Sequence, residues 1–246
     1  MFEILYIGHR GTRESLDENT IPAFKAAKKA GADIIELDVR KTKDNQLIAF
    51  HDKKLDRITN HSGMINGLTY KELKKIKTKH TNEKIPLLSD VLKKFKNKID
   101  FMIELKGKDV KTEIIDLIIR INIKDRCVIS GREFNVLSNI KKNFPQILVC
   151  YNITKGDFTL QNFLEQGKNG NLAFNPDMIS LRSNLVKKEF IDICSNNSIL
   201  PLAWDFMKYS NPLEKIKELI MLGIKGILFD NYKNIPIIKK WREEKV

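Results

Sequence analysis

Two histidines stand where short apolar runs of the sequence end, a position typical of acid–base catalysts in α/β proteins. His9 follows the run at residues 2–8, and His51 follows the run at residues 47–50. Imidazole titrates near neutral pH, so two histidines can supply one general base and one general acid. We therefore treat His9 and His51 as the candidate catalytic residues.

Three carboxylates are predicted to converge beside these histidines. Glu36 and Asp38 are two positions apart in the apolar run at residues 33–39, and side chains at positions i and i+2 of a strand point to the same face. Glu104 lies near the end of a later apolar run. Crowded carboxylates repel one another, and a divalent cation is the usual relief. Because the candidate ligand atoms are oxygens, Mg²⁺ or Ca²⁺ is favoured over zinc.

Two basic residues accompany these groups. Arg10 follows His9 directly, and Lys106 stands two positions after Glu104. Both are candidate phosphate-binding residues. The simpler alternative is that the carboxylates only form ion pairs with Arg10, Arg40 or Lys106, but the convergence of three carboxylates favours a metal site. A metal, two fixed cations and two histidines describe a phosphoryl-transfer site without a covalent nucleophile.

Apolar runs and amphipathic helical patterns alternate along the chain in a way that predicts a parallel barrel. The predicted barrel strands are residues 2–8, 33–39, 100–107, 126–131, 146–152, 177–181, 199–204 and 225–230. Eight such alternations in 246 residues indicate an α/β fold, the (β/α)8 TIM barrel, whose active site lies at the carboxyl ends of the strands. The main rival, an open doubly wound sheet, would usually carry a glycine-rich phosphate turn, and the sequence has neither GxGxxG nor GxxxxGK.

We expect a single domain over residues 1–246, with a small insertion after strand 2 at about residues 40–86. The insertion contains the short strand before His51 and a turn-rich stretch, and long ordered loops in compact domains tend to be functional. His61 and His80 also fall in the insertion, without charged company, and we expect them at the surface.

Charge and cysteine content narrow the class of protein. Lys and Arg number 44 against 31 Asp and Glu, which gives a net charge of +13, but the lysines are scattered as pairs on predicted helices. This pattern favours a solvated outer face that attracts small anions, with no nucleic-acid partner. Three widely spaced cysteines indicate neither a disulfide framework nor a zinc cluster. Because neither a signal peptide nor a membrane span is recognisable, we expect a cytoplasmic protein without stable membrane insertion.

The order of the charged motifs resembles that of the glycerophosphodiester phosphodiesterase family. The motifs in this sequence are HRG at 9–11, ENT at 18–20, ELD at 36–38, HD at 51–52 and ELK at 104–106. The resemblance is most specific over residues 8–106 and continues more weakly through residues 200–204 and 226–230, so it spans nearly the whole chain.

This resemblance implies a barrel enzyme that hydrolyses deacylated phospholipids to glycerol 3-phosphate and an alcohol. His9 would be the proton acceptor and His51 the proton donor. One divalent cation, Mg²⁺ or Ca²⁺, would be held by Glu36, Asp38 and Glu104, while Arg10 and Lys106 would contact the phosphate of a small anionic substrate. Both water and the glycerol 2-hydroxyl are compatible with the role of attacking group.

The sequence departs from the family pattern at three places: Asp17 replaces the usual Pro before ENT, residues 205–207 replace Thr-Val-Asn, and Phe229 replaces a Thr. The last two lie on the expected rim and bear on substrate preference rather than on the reaction. Trp204 is placed to stack on the glycerol or on the leaving alcohol, where a choline group would gain a cation–π contact. Barrel packing is its alternative role.

Two other functions stay open from the sequence. Lysophospholipase D activity on single-chain lipids would call for an apolar entrance or a membrane-facing amphipathic helix, and no predicted helix is clearly of that kind. A non-enzymatic barrel that binds polyanions predicts strongly salt-dependent binding and indifference to the loss of His9 or Glu36.

Overall fold

The strands form a closed ring. The computed structural model describes residues 4–107, 110–154 and 158–245, and its strands are β1 Leu5–Gly8, β2 Ile34–Lys41, β3 Leu47–Ala49, β4 Asp100–Leu105, β5 Cys127–Gly131, β6 Leu148–Ile153, β7 Met178–Arg182, β8 Leu200–Trp204 and β9 Gly226–Phe229. Every strand except β3 pairs in parallel with its neighbours, and β1 pairs with both β2 and β9. The predicted barrel of eight parallel strands is therefore confirmed.

Helices cover the outside of this ring. Their bounds are α1 Ile21–Lys29, α2 Tyr70–Leu73, α3 Leu88–Phe95, α4 Lys111–Ile121, α5 Phe134–Asn143, α6 Phe158–Lys168, α7 Lys188–Asn196, α8 Pro212–Leu222 and α9 Asn234–Glu243. In α3 the buried residues fall at positions i, i+3, i+4 and i+7, which is the stripe of a helix packed on one face. Within residues 4–107, 110–154 and 158–245, no helix combines the length and apolar character that a bilayer span requires.

The inside of the barrel is filled by one apolar side chain from each parallel strand. This interior layer consists of Ile7, Ile34, Met102, Val128, Cys150, Met178, Leu202 and Leu228. A barrel of eight strands is just narrow enough for side chains to fill it. The bottom of the barrel is therefore a packed core, and the cavity in the barrel mouth lies above this layer.

The segment between β2 and α3 builds a small core of its own beside the barrel. β3 pairs antiparallel with β2, and Phe50, Leu55, Ile65 and Leu73 are buried in a separate apolar cluster. Asp17 of the β1–α1 loop accepts a hydrogen bond from the backbone N–H of Thr81 at 2.7 Å, so it ties the segment to that loop.

All three cysteines are buried and free. Burial raises the pKa of the Cys127 thiol to about 12 and also raises the pKa values of Cys150 and Cys194. Thiols are reactive as thiolates, so these side chains behave as small apolar residues.

Candidate active site

A layer of polar side chains lies directly above the apolar interior layer. Each of these residues is two positions after the interior residue of its strand: His9, Glu36, Glu104, Ser130, Asn152, Ser180, Trp204 and Asp230. Because side chains two positions apart share a face of a strand, the same register that fills the barrel aims these groups into its mouth. All of them except Asp230 line one cavity, together with Arg10, Lys106 and Arg132.

His9 and Asp230 form a buried pair in this layer. Asp230 Oδ1 lies 2.7 Å from His9 Nδ1 and 3.0 Å from Arg13 Nη1, while Asp230 Oδ2 accepts a hydrogen bond of 2.9 Å from the Phe206 N–H. Burial disfavours the charge of Asp230, but His9 and Arg13 outweigh it and hold the pKa of this carboxyl below its ordinary range. A carboxylate only accepts, so His9 carries its proton on Nδ1 and its Nε2 lone pair is available as a base.

His51 has an equivalent carboxylate partner. Its Nδ1 lies 2.6 Å from Asp52 Oδ1, and Asp52 is in turn bound by the guanidinium of Arg57. Arg40 Nε donates to the backbone carbonyl of His51 at 2.7 Å. His51 is therefore fixed through both its ring and its backbone, which leaves its Nε2 for a ligand.

The pKa of His51 is lowered. Burial is the largest cause, and the positive charges of Lys106 and Arg10 add to it, against the opposing effects of Asp38 and Asp52. The imidazole is therefore neutral at neutral pH when the site holds no anion.

Glu36, Asp38 and Glu104 meet at the edge of the cavity. One carboxylate oxygen from each lies within 4.8 Å of the others. Glu36 Oε2 accepts a hydrogen bond of 2.7 Å from the Arg10 N–H, whereas Glu36 Oε1 is buried and has no hydrogen-bond partner. Burial and the neighbouring charges of Asp38 and Glu104 raise the pKa of Glu36 well above its ordinary value. The charge of Glu36 is thus the uncompensated one of the three.

Two basic side chains compensate the other carboxylates. Lys106 Nζ lies 2.6 Å from Glu104 Oε1 and 3.0 Å from Asp38 Oδ1. Arg10 Nε lies 3.2 Å from Asp38 Oδ2, and Arg10 Nη1 donates to Glu18 Oε1 at 2.8 Å. Burial opposes the charge of Asp38, but Lys106 and Arg10 hold the pKa of this carboxyl well below its ordinary range. The ion pairs considered as the simpler alternative therefore exist for Asp38 and Glu104, and they do not account for Glu36 Oε1.

The chemistry of the trio suits a hard divalent cation. All its donor atoms are carboxylate oxygens, and Glu36 Oε1 is buried without a hydrogen-bond partner from the protein, so the residues fit such an ion. Mg²⁺ and Ca²⁺ both take oxygen ligands of this kind.

Trp204 lies beside His9 in the barrel mouth. Its ring is edge-on to the His9 ring at a centroid distance of 6.2 Å, and its buried Nε1 has no hydrogen-bond partner. The guanidinium carbon of Arg182 lies 4.8 Å from the centroid of the Trp204 ring, and Arg182 Nε lies 3.2 Å from Asp205 Oδ2. One face of the indole is therefore already covered by a cation.

A tight left-handed turn directs the first two site residues. Arg10 and Gly11 both have positive φ, 54° and 75°, immediately after β1. A Cβ atom on Gly11 would stand 2.7 Å from the backbone carbon of Ala23 in α1. Only glycine allows this close approach, which places His9 and Arg10 over the barrel mouth.

The structure thus brings together all eight residues proposed from the sequence: His9, His51, Glu36, Asp38, Glu104, Arg10 and Lys106, with Trp204 beside His9. Sequence reasoning missed Asp230 and Arg13 as partners of His9, and Glu18 as a partner of Arg10. The position of Asp230 could have been predicted, because it stands two positions after Leu228 just as His9 stands two positions after Ile7. His61 and His80 are exposed, as predicted.

Solved structures share this fold. A glycerophosphodiester phosphodiesterase from Thermotoga maritima superposes with a TM-score of 0.79 at 22% identity, covering 98% of this chain and 100% of that chain. A phosphodiesterase from Oleispira antarctica, solved in complex with the product sn-glycerol-3-phosphate, gives a TM-score of 0.78 at 21% identity, covering 96% of each chain. By fold, the chain is a (β/α)8-barrel protein with an acidic mouth at the carboxyl ends of its strands.

Sequence comparison defines the family. Residues 9–234 match the model of the glycerophosphoryl diester phosphodiesterase family. The glycerophosphodiester phosphodiesterase of Caldanaerobacter subterraneus is 30% identical, over 96% of this chain and 98% of that protein. The one from Bacillus altitudinis is 30% identical, over 90% and 92%. The chain belongs to the glycerophosphoryl diester phosphodiesterase family and is an enzyme that hydrolyses glycerophosphodiesters.

Proposed function

We propose that this enzyme releases sn-glycerol 3-phosphate and an alcohol from glycerophosphodiesters, that the reaction depends on one divalent cation, and that His9 and His51 are its general base and general acid. The observation that carries the proposal is Glu36 Oε1, a buried carboxylate oxygen without a hydrogen-bond partner, at a barrel mouth whose two histidines are each held at Nδ1 by a carboxylate. The glycerol phosphate bound by the Oleispira antarctica relative supports the choice of product.

Glu36, Asp38 and Glu104 would hold the cation. When bound, a divalent cation polarises phosphoryl oxygens and offsets the charge that develops on them. Charge balance supports this role. The three carboxylates together with Arg10 and Lys106 have a net charge of −1. Adding a divalent cation changes this net charge to +1. That balance complements the single negative charge of a phosphodiester.

His9 takes a proton from the attacking hydroxyl, either water or the glycerol 2-hydroxyl, as its oxygen bonds to phosphorus. Asp230 keeps the Nε2 lone pair of His9 free for this step and stabilises the imidazolium that results. If the 2-hydroxyl attacks, a cyclic phosphate forms, and one further water opens it to glycerol 3-phosphate.

His51 gives its Nε2 proton to the departing oxygen as the bond between phosphorus and that oxygen breaks. In the free site its pKa is lowered by burial and by Lys106 and Arg10. The negative charge of a bound phosphodiester acts in the opposite sense and favours the imidazolium. Protonation of His51 is thereby coupled to the arrival of substrate.

Arg10 and Lys106 contact the non-bridging phosphate oxygens in this proposal. Both face the cavity that Glu36 and His9 line. Lys106 already bridges Asp38 and Glu104, and Arg10 bridges Asp38 and Glu18, so both positions are fixed before the substrate binds.

The test is release of glycerol 3-phosphate from glycerophosphocholine, glycerophosphoethanolamine and glycerophosphoglycerol in EDTA, and after addition of Mg²⁺ or Ca²⁺. We expect release only with the metal. His9→Ala and His51→Ala should each lower kcat by about 10²- to 10⁴-fold, while the exposed His61→Ala serves as the matched control. Full activity in EDTA, or wild-type rates in either of the first two variants, would contradict the mechanism. Parallel incubation with a lysophospholipid tests the related activity.

A further inference from the structure

A second pocket opens beside His51, next to the central cavity. It encloses about 300 Å³ between the ends of β4 and β5 and the start of α5. Its lining consists of Arg40, His51, Glu104, Leu105, Lys106, Gly107, Gly131, Arg132, Glu133, Val136 and Leu137. At about 30 Å³ per water molecule, the pocket has room for roughly ten waters and hence for a small polar head group.

The position of this pocket relates it to the leaving group. Glu104, Lys106 and Arg132 line both the pocket and the central cavity, so the two spaces adjoin. On the proposed function, on which this inference rests, His51 protonates the departing alcohol. Because His51 lines the second pocket, the alcohol portion of the substrate lies there.

Arg132 is the side chain in this pocket best suited to bind a ligand. Arg132 stands two positions after Ser130, as Lys106 stands two positions after Glu104. Side chains two positions apart share a face of a strand, so Arg132 points into the barrel mouth. Its side chain is 54% exposed, and its Nε lies 3.9 Å from Glu104 Oε1, at the outer limit of an ion pair. An exposed guanidinium at this distance retains donors for a bidentate contact with an anionic group.

We propose that the pocket selects head groups that carry an acidic group of their own, with Arg132 as its specificity-determining residue. A carboxylate on the leaving alcohol is the simplest such group. The substrate class is then a glycerophosphodiester with a second negative charge, and glycerophosphoserine is the probe.

The surroundings disfavour a quaternary ammonium instead. The described residues that line this pocket include no Phe, Tyr or Trp, the rings that bind a choline group by a cation–π contact. In the central cavity, the Trp204 ring is covered on one face by Arg182. The opposing acid, Glu133, is exposed at the start of α5, where the positive end of the helix dipole partly offsets its charge.

The test compares glycerophosphoserine with glycerophosphoethanolamine, which differ only by one carboxylate. We expect wild-type kcat/KM to favour glycerophosphoserine by about tenfold, the effect of one partly exposed charge-assisted contact. Arg132→Gln should bring the ratio close to one, and Glu133→Gln should increase it. Arg126→Gln, which removes the same charge at the start of β5, is the matched control and should leave the ratio unchanged. A wild-type ratio near one, or a ratio that survives Arg132→Gln, would overturn the inference.

A binding measurement separates this inference from the proposed function. In the His9→Ala background, calorimetric titration with each diester in Mg²⁺ should show the same tenfold preference, lost when Arg132→Gln is added. If wild-type protein hydrolyses neither diester but the binding preference holds, the proposed function fails and the pocket assignment stands. Equal affinities overturn the pocket assignment whatever the activity.

Discussion

Each of the two candidate catalytic histidines has a carboxylate within hydrogen-bond distance of its Nδ1, but their surroundings differ. His9 is 4% exposed, and its partner Asp230 is also bound by Arg13 and by the Phe206 N–H. His51 is partly exposed, and its own partner Asp52 is bound by Arg57. The deeply held pair suits a base that acts close to phosphorus, and the more open one suits an acid that meets the leaving group.

Asp230 is a positioning residue, and its replacement separates orientation from binding. In Asp230→Asn the amide can donate to Nδ1 and thereby stabilise the wrong tautomer of His9. We expect kcat to fall by about 10²- to 10⁴-fold with KM nearly unchanged, since the phosphate contacts stay in place. Steady-state kinetics with glycerophosphoethanolamine measure both constants.

Asp100→Asn provides the matched control, because Asp100 forms an ion pair of 2.7 Å with Arg126 at the opposite end of the barrel. It should leave kcat within about twofold of wild type, as surface substitutions away from a site change little. A rise in KM without loss of kcat in Asp230→Asn would show that Asp230 supports substrate binding rather than the orientation of His9.

At the scale of elements, the strands explain why so much of the site can be predicted from sequence. A period of two makes an apolar interior residue and the polar residue two positions later face the same space, as in Ile34 and Glu36 or Met102 and Glu104. Polar residues that follow the apolar runs are therefore predicted to meet at one end of the barrel, where the strands have their carboxyl ends. The positions of Ser130, Asn152 and Ser180 follow from the same rule.

Partnerships across the ring could not be predicted in this way. His9 and Asp230 are 221 positions apart in the sequence, and they become neighbours only because β9 pairs with β1 and closes the barrel. Glu18 receives Arg57 from the segment between β2 and α3, whose path over the β1–α1 loop depends on tertiary contacts such as that of Asp17. Periodicity indicates which face a side chain takes, but not which distant residue meets it.

Substitution of Gly11 in the β1–α1 turn should affect both the stability of the fold and the position of His9. Gly11→Ala introduces a Cβ at positive φ and within 2.8 Å of the Phe24 backbone nitrogen, so the turn or α1 must move. Left-handed strain and overpacking together should cost about 2–4 kcal/mol of unfolding free energy, and the displaced His9 should lower kcat at least tenfold.

Urea unfolding and steady-state kinetics measure the two effects. Gly67→Ala is the control, since Gly67 has no positive φ and a Cβ there meets no atom within 4 Å. If Gly11→Ala is as stable and active as Gly67→Ala, the turn does not position His9.

At the scale of the whole molecule, positive charge lies mainly outside and uncompensated negative charge lies inside. The chain carries a net charge of +13, and most of the lysines whose burial the structure describes are exposed, on helices and on loops. Glu36 and Asp38 are buried at the barrel mouth. The overall field attracts anions, while the proposed function assigns a divalent cation to the carboxylates of the mouth. Cation binding, protonation and stability are therefore linked through Glu36.

Glu36 gives this linkage a direction. Its pKa is raised in the folded protein, so above the ordinary value of 4.5 the folded state binds more protons than the unfolded state and the metal-free fold loses stability as pH rises. Without metal, Glu36→Gln should therefore have a higher Tm than wild type, by more at pH 8.5 than at pH 5.5. Mg²⁺ should raise the wild-type Tm, most at the higher pH, and should have little effect on the variant.

Scanning calorimetry in EDTA and in Mg²⁺ at both pH values tests these expectations, with Asp38→Asn as the opposite control. The pKa of Asp38 is lowered by Lys106 and Arg10 despite its burial, so its charge stabilises the fold at neutral pH and its loss should lower the Tm. If Glu36→Gln and Asp38→Asn both lower the Tm in EDTA, then the charge of Glu36 is already compensated without metal. The case for a cation at the trio would then rest on the activity assay alone.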